Sequence, residues 1–411
     1  MHTHISSTPS VPTHLRRTRA VATHAPQRVG VDRLAIVAIA LAGALGLAAV
    51  SSSVVVAGDW QLQRVDEGTK PALALTPDGQ PVVVYMLERQ DGWVRIAVLE
   101  AGGWQIDQVA DGYFYGPPDI AAGPDGVIHA AYHDHQDSQF QPDKGDAVHV
   151  SGGAGDWTTT TAADDGHDGW DNRITVDADG RPHMVGVDPE DFGGVDGIEY
   201  YSLDAQGEWQ AEPVGSGPQT YRWGASVAVD PDGVPWVSYY DGATAALMLA
   251  GRGTEGWQVE TVDDAADTGL YSELVIDPEG GQHISYLERL GETEGTVKYA
   301  FREGPQGEWD ISAVDDLGAL FIGFTGARNL TSVALAPDSS PWVAYSDEQV
   351  MSLAHLVDGD WQIETVTEAG EAPLGQIVSL EIDAQDRPHV AFAEVTDKSQ
   401  LDGSVWYATR D

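Results

Sequence analysis

Short apolar runs separated by tight turns repeat along almost the whole chain. One such unit is DPDGVPWVSY at 230–239, and seven copies of it lie between residues 76 and 392. Turns rich in Asp, Pro and Gly reverse a chain within four residues. The run after each turn is apolar at nearly every position, which indicates a strand covered on both faces. The pattern therefore predicts an all-β protein built from repeated hairpins.

A second unit, a short strand led by tryptophan, alternates with the first. It also occurs seven times, as in WQIETV at 361–366, and successive leading tryptophans are 44 to 53 residues apart. A period near fifty with several short strands per unit is the size of a β-propeller blade. We therefore predict a single closed seven-bladed β-propeller over residues 58–411. The leading residues are Trp60, Trp104, Trp157, Trp209, Trp257, Trp309 and Trp361.

The order of the two units predicts how the ring closes. The repeats begin with a tryptophan-led strand, Asp59–Val65, before any hairpin, and they end with Val405–Thr409 and no such strand after it. Pairing these two segments would complete the last blade and remove a free sheet edge, which is an aggregation hazard. We expect the closed ring to be a monomer.

The first 57 residues differ in composition from the repeats. Residues 1–33 are polar and basic, and this leader is predicted to be disordered. Residues 34–57 contain a long uncharged run that ends in small residues, which is typical of a secretory signal cut before Gly58. An uncleaved membrane anchor helix is the alternative. Both place the propeller outside the cytoplasm: secreted, periplasmic or at the cell surface, or anchored to the membrane through residues 34–57 alone.

Composition narrows the classes of partner. The chain has 65 acidic and 21 basic residues, a formal net charge of −44, and no cysteine. A protein this acidic repels nucleic acid and anionic membrane surfaces, and it suits high salt or cationic partners. The lack of cysteine excludes thiol chemistry and cysteine metal sites. No motif requires a cofactor, and Ca²⁺ is the one candidate ion.

One face of the predicted propeller is the candidate binding face. The links between blades and those from the second to the third strand of a blade share this face, and they are long and irregular. Aromatic rings there could stack on sugars and guanidinium groups could bind carboxylates. Alternatively, the rings fill crevices between blades and each Arg pairs with a nearby acid. The ligand-binding candidates are Tyr115, Trp170, Arg173, Tyr221, Arg222, Trp223, Tyr271, Phe324 and Arg328.

An acidic residue follows each second strand on the same face. Ca²⁺ binds carboxylate oxygens, so a ring of these acids could hold the ion. Alternatively, each acid could accept hydrogen bonds from the backbone of its own loop. Blade two adds a His-Asp-His sequence whose two imidazoles would point the same way along a strand. The metal candidates are His133, Asp134, His135, Asp188, Asp241, Glu288, Asp347 and Glu394.

The repeats resemble those of exported bacterial β-propeller proteins, the superfamily that includes sialidases and propeller polysaccharide lyases. The likeness rests on SVAVDPDGVPWVSY at 226–239 and on the tryptophan-led strand, and it covers residues 58–411. The Asp boxes typical of sialidases are missing, because no Thr-Trp follows the Asp-Gly turns. Lyases of this kind use His, Tyr and Arg, so the resemblance offers His133, Tyr221 and Arg222 as catalytic candidates.

Three functions fit these observations. The first is a non-catalytic exported module that binds a glycan or another extracellular ligand at the loop-rich face. The second is a glycan-cleaving hydrolase or polysaccharide lyase that acts at the same face. The third is a platform outside the cytoplasm that docks an extracellular protein. Convergent His, Tyr and Arg side chains would favour the enzyme, and an aromatic rim without them would favour the binding module.

Overall fold

Antiparallel β-sheets make up the described part of the protein in the computed structural model. The regular elements within it are all strands. None of these residues belongs to a helix that could span a membrane. The predicted leader, 1–33, and the predicted signal or anchor segment, 34–57, lie outside the described residues except for 54–57. The structure describes residues 54–57, 59–88, 91–114, 116–135, 145–153, 155–164, 169–188, 197–216, 224–291, 294–317, 331–347, 349–370, 372–396 and 402–410.

Seven sheets surround a central channel as the blades of a propeller, with the first strand of each blade against the channel. Strands are numbered along the chain, and blade 1 begins at β3. The first strands are β3 (Thr69–Leu75), β7 (Asp119–Ala122), β11 (Trp170–Val176), β15 (Ala225–Val229), β19 (Asp267–Ile276), β23 (Thr331–Leu335) and β27 (Leu374–Ile382). The second strands are β4 (Pro81–Leu87), β8 (Ile128–Asp134), β12 (Pro182–Asp188), β16 (Pro235–Asp241), β20 (Gln282–Arg289), β24 (Pro341–Ser346) and β28 (Pro388–Val395).

Two further strands complete each blade on the outside. The third strands are β5 (Gly92–Glu100), β9 (Asp146–Gly153), β13 (Gly197–Leu203), β17 (Ala246–Gly253), β21 (Gly295–Arg302), β25 (Val350–Val357) and β29 (Gly403–Thr409). The outer strands of blades 1 to 6 are β6 (Gly103–Gly112), β10 (Asp156–Ala163), β14 (Trp209–Ser216), β18 (Gly256–Asp263), β22 (Asp310–Leu317) and β26 (Asp360–Glu368).

A strand from the start of the chain supplies the outer strand of blade 7. This strand, β2 (Trp60–Glu67), pairs antiparallel with β29, and β1 (Val54–Ala57) adds a fifth strand outside it. On the loop-rich face, the Asp66 carboxylate accepts hydrogen bonds from Tyr85 Oη at 2.9 Å and Arg95 Nη1 at 2.8 Å. Blade 7 is thus joined to blade 1 by side chains as well as by the chain itself.

Each pair of neighbouring blades encloses a hydrophobic core of its own. Seven clusters of buried residues correspond to the seven junctions. The core between blades 7 and 1 includes Leu73, Val83 and Val405. Strands β4 and β24 are buried at every position, as the continuous apolar pattern predicts for strands covered on both faces.

The leading tryptophans pack between blades. The ring centroid of Trp104 lies 5.4 Å from that of Tyr407 in the preceding blade, and Trp361 lies 5.3 Å from Tyr299. Both contacts are edge-to-face, the arrangement that the quadrupoles of aromatic rings favour. The tryptophan-led unit therefore recurs because a large ring fills the space between one blade and the next.

Hairpin turns are held by their first aspartate. In blade 5, Asp277 Oδ1 accepts hydrogen bonds from the backbone N–H groups of Glu279 at 3.0 Å and Gly281 at 2.6 Å. Its Oδ2 lies 3.4 Å from His283 Nε2, and His283 Nδ1 lies 2.6 Å from Tyr299 Oη. Blades 3 and 7 repeat this arrangement. These second-strand histidines therefore link the turn to the third strand inside the blade.

Side chains of the first strands also join neighbouring blades around the channel. In five blades, a side-chain oxygen four residues before the hairpin turn accepts a hydrogen bond from a backbone N–H of the next blade, as Ser379 does from Leu73 at 3.0 Å. At the same place in blades 1 and 3, Ala72 has no acceptor and Arg173 can only donate. The contact is made by Asp119, Ser226, Glu273, Ser332 and Ser379.

Carboxyl groups dominate the channel. Asp119 and Arg173 form an ion pair with 3.5 Å between Oδ1 and Nη1. Burial raises the pKa of Glu273 to about 7. Burial, together with the negative charges of Glu273 and Asp119, raises the pKa of Glu381 to about 8. Both glutamates therefore hold a proton in the folded protein at pH values where the unfolded chain would release it.

Removal of the closing strand should open the ring. A chain that begins at Glu67 lacks nearly all of β2 and leaves the edge of β29 unpaired, so we expect aggregation or a melting temperature lower by about 10 °C. A chain that begins at Gly58 loses only β1 and is the matched control. Size-exclusion chromatography and thermal melting measure the difference. Equal melting temperatures would show that β2 is dispensable for closure.

The channel glutamates should make stability fall as the pH rises. Their pKa values are higher in the folded protein than in the unfolded chain. The loss of stability therefore begins above the ordinary carboxyl pKa, about 4.3, and is complete above the pKa values of the folded protein. Glu381→Gln should raise the melting temperature at about pH 8 and change it little near the ordinary carboxyl pKa. Thermal melts across this range test it, with the exposed Glu255→Gln as control. An effect of equal size at both ends would contradict the assignment.

Candidate functional site

The His-Asp-His sequence of blade 2 stands on the loop-rich face, beside the start of blade 3. His133 and His135 lie on the same side of the chain at the end of β8, with 3.4 Å between Nε2 of His133 and Nδ1 of His135. Alternation of side chains along a strand accounts for this shared direction. Both imidazoles are buried, with exposures of 1% and 7%. The pair forms the centre of the candidate site.

Two half-buried aromatic rings enclose the imidazole pair. The centroid of Trp170 lies 5.7 Å from that of His133 and 6.4 Å from that of His135, and Tyr113 lies 5.1 Å from His135. A backbone hydrogen bond of 2.9 Å from His135 N–H to the Tyr113 carbonyl holds the link after β6 in place. Tyr113, His133, His135 and Trp170 are called the blade 2–3 cluster below.

A buried amide lies next to this cluster on β11. Asn172 is 1% exposed, and within the described part of the chain its Nδ2 and Oδ1 have no hydrogen-bond partner. Its neighbour Asp171 has a φ of 54°, which non-glycine residues rarely adopt. An unsatisfied buried amide costs about 1–3 kcal/mol, and backbone strain concentrates at functional sites. Asn172 was missed in the sequence because an Asn within a strand gives no sign of its burial.

The chemistry of the cluster combines flat apolar surfaces with adaptable polar groups. Each neutral imidazole donates from one nitrogen and accepts at the other. Gly145 lies against the His133 ring, where a Cβ would collide with the imidazole. The cluster can therefore hold hydroxyl groups beside aromatic rings, and it contains groups able to transfer protons.

Two other predicted ligand-binding residues face elsewhere. Arg173 lines the central channel, where it pairs with Asp119. Tyr271 is 4% exposed and packs in the core between blades 5 and 6. The remaining ligand-binding and catalytic candidates lie outside the described residues: Tyr115, Tyr221, Arg222, Trp223, Phe324 and Arg328.

Several of the acids that follow the second strands bond within their own blades. Asp241 accepts hydrogen bonds from the Ala243 N–H at 3.0 Å and the Thr244 hydroxyl at 2.7 Å. Asp347 caps its own link through two backbone N–H groups. Glu394 accepts a hydrogen bond of 3.0 Å from an indole on β29. The contacts of Asp241 and Asp347 are those of the loop-capping interpretation, whereas Glu394 bonds to a strand residue.

The other acidic candidates occupy separate places around the rim. Glu288 Oε2 lies 3.7 Å from Lys298 Nζ, whose closest partner is Asp263. Asp188 ends β12, and Asp134 ends β8 in a bridge to the link after β6. Among the residues with described placement, no three His, Asp or Glu side chains gather as a metal site would require.

Comparisons with known proteins show similarity in fold to solved structures. No family model and no curated protein matches the chain. An ulvan lyase described as a new family of polysaccharide lyase is similar over 83% of this chain and 94% of its own, with 13% identity and a TM-score of 0.55. The polysaccharide lyase Uly1 is similar over 83% and 89%, with 10% identity and a TM-score of 0.50. The lectin SapL1, solved with α-methyl fucoside, is similar over 74% and 97%, with 15% identity and a TM-score of 0.46. At these identities the likeness concerns the fold alone.

Proposed function

We propose that this chain is an exported β-propeller that binds a glycan at its loop-rich face, with the blade 2–3 cluster at the centre of the site. The proposal rests on one observation: the half-buried rings of Trp170 and Tyr113 lie beside the two imidazoles of the blade 2–3 cluster. Sugars offer CH faces to aromatic rings and hydroxyl groups to polar side chains. The ulvan lyase, solved with a saccharide bound, indicates that this fold accommodates such ligands.

Export is part of the proposal. The uncharged run within residues 34–57, preceded by a basic leader, supports it. Cleavage before Gly58 would remove β1 and leave β2 as the outer strand of blade 7, so that this blade would have four strands like the other six. Retention of residues 34–57 as an anchor would keep the fifth strand.

Glycan cleavage at the same place is a second candidate function. It is favoured by the two imidazoles, which are buried and within reach of each other beside the phenol of Tyr113. Hydrolysis and elimination both need side chains that donate and accept protons at the bond that breaks. A protein-docking platform would use the same face without retaining sugar.

Glycan binding is tested with an array probed by residues 58–411, with Ca²⁺ and with a chelator. We expect retained protein, at least about tenfold weaker binding in Trp170→Ala because a stacking surface is lost, and no effect of the chelator. Leu290→Ala, which truncates an apolar side chain exposed to 59% on the same face, is the control.

The array distinguishes the three functions. If printed sugars released reducing ends through hydrolysis or unsaturated sugars through elimination, and His133→Ala abolished this release, the protein would be an enzyme and not a binding module. A blank array would remove the glycan proposal and favour protein docking. Loss of binding in the chelator would show that an ion contributes to the site.

Export is tested by the mass of the mature chain. We expect protein recovered outside the cytoplasm to begin at Gly58, because the uncharged run and its small-residue end fit a signal cut there. Recovery with the leader intact in the membrane fraction would identify an anchor. Protein found only in the cytoplasm would contradict export in both forms.

A further inference from the structure

A groove of about 450 Å³ opens on the loop-rich face where blades 7 and 1 meet. Its walls are formed by the ends of β2 and β28 and by the starts of β5 and β29. Its volume falls within the range of about 300–1,000 Å³ that small-molecule sites occupy. It is called the closure groove here, and the side chains that matter below are Arg64, Glu67, Trp93, Arg95 and Glu394.

Trp93 is held in place by neighbouring side chains. The guanidinium carbon of Arg95 lies 3.8 Å from the Trp93 ring centroid, and Tyr85 meets the ring edge-on at 5.7 Å. Gly68 has a φ of 136°, and a Cβ there would come within 3.1 Å of the indole. The half-buried ring is therefore a fixed wall of the groove. A wall that is already ordered loses little freedom when a ligand binds.

Arg64 is a cation that no described carboxylate neutralises. Its Nε and Nη2 lie 3.3 Å and 3.2 Å from the Ser404 hydroxyl, and these are its side-chain hydrogen bonds. Arg95, by contrast, is paired with Asp66 at 2.8 Å. A guanidinium group carries five N–H donors, so Arg64 retains donors for a further acceptor. In a chain with 65 acidic residues, an Arg without a described carboxylate partner is a donor that an incoming hydroxyl or carbonyl oxygen could use.

The acidic residues of the groove disfavour an anionic ligand. Glu67 and Glu394 line it together with Arg64, so an anionic ligand would meet two carboxylates beside the one guanidinium group that has no described carboxylate partner. Hydroxyl groups donate and accept, and they can therefore bond to Arg64 and to a carboxylate at once. The CH face of a sugar would pack on Trp93.

We propose that the closure groove binds a neutral saccharide, as a second site on the loop-rich face besides the blade 2–3 cluster. The proposal rests on the proposed glycan-binding function and assigns it an additional place. Because the two places involve different blades, separate variants can test them.

The probes are the neutral methyl glycosides of glucose, galactose, mannose and xylose, with glucuronate as the charged comparison. Saturation-transfer NMR and calorimetry measure their binding to the protein. We expect the neutral glycosides to bind better than glucuronate, and Trp93→Ala and Arg64→Gln to weaken that binding at least about tenfold. Arg252→Gln, which changes an Arg of β17 that is paired with Glu212 of β14, is the matched control. If Trp93→Ala lowers the melting temperature, the test of saccharide binding in the closure groove rests on Arg64→Gln alone.

Each outcome bears on one proposal or both. Loss of one of two bound saccharides in the closure-groove variants, with the other lost in Trp170→Ala, would support both sites. Weaker binding in the closure-groove variants alone would support the second site and count against the blade 2–3 cluster. Weaker binding in Trp170→Ala alone would overturn the second site and leave the proposed function standing. A preference for glucuronate would overturn the assignment of a neutral ligand. A wild-type protein that binds none of the probes would count against both.

Discussion

Mutual burial of neighbouring blades is the constraint on which this structure depends. A sheet with apolar residues on both faces cannot cover itself, and here each blade is covered by the two beside it, through seven separate cores. A blade at an open end would expose one of these faces. The return of the N-terminal strand β2 to blade 7 follows from this requirement, and so does the tryptophan at the start of each outer strand.

The same constraint explains where the candidate sites lie. The cores between blades are filled by strands, so the links on the loop-rich face are free to vary in length and composition. Both candidate sites stand where the ends of two blades meet, at the junction of blades 2 and 3 and at that of blades 7 and 1. A rigid ring thus holds side chains from distant parts of the chain, such as Arg64 and Ser404, beside one another.

The sequence was sufficient for the architecture because the architecture is periodic. The hairpin turns and leading tryptophans predicted seven blades, and the strand expected at Asp59–Val65 is β2, Trp60–Glu67. The site was only partly predictable. His133 and His135 stood out because they depart from the repeat, and they do lie together.

Other site residues gave weaker signals or none. The sequence analysis predicted Arg173 at the binding face, but Arg173 lines the channel. Arg173 lies four residues before Asp177, just as the channel residue Ser226 lies four residues before Asp230, and this shared position could have indicated the channel. The closure groove was missed because Arg64 and Trp93 sit within strands and line one groove with Ser404 only when the ring closes. Asn172 was missed because its burial depends on packing.

The side-chain contacts around the channel have a mechanical consequence. This type of hydrogen bond connects blades 4, 5, 6, 7 and 1 in one series and blades 2 and 3 in another. The blade 2–3 cluster lies in the shorter series and the closure groove in the longer one. A polysaccharide that bound both sites at once would therefore add a connection between the two groups of blades.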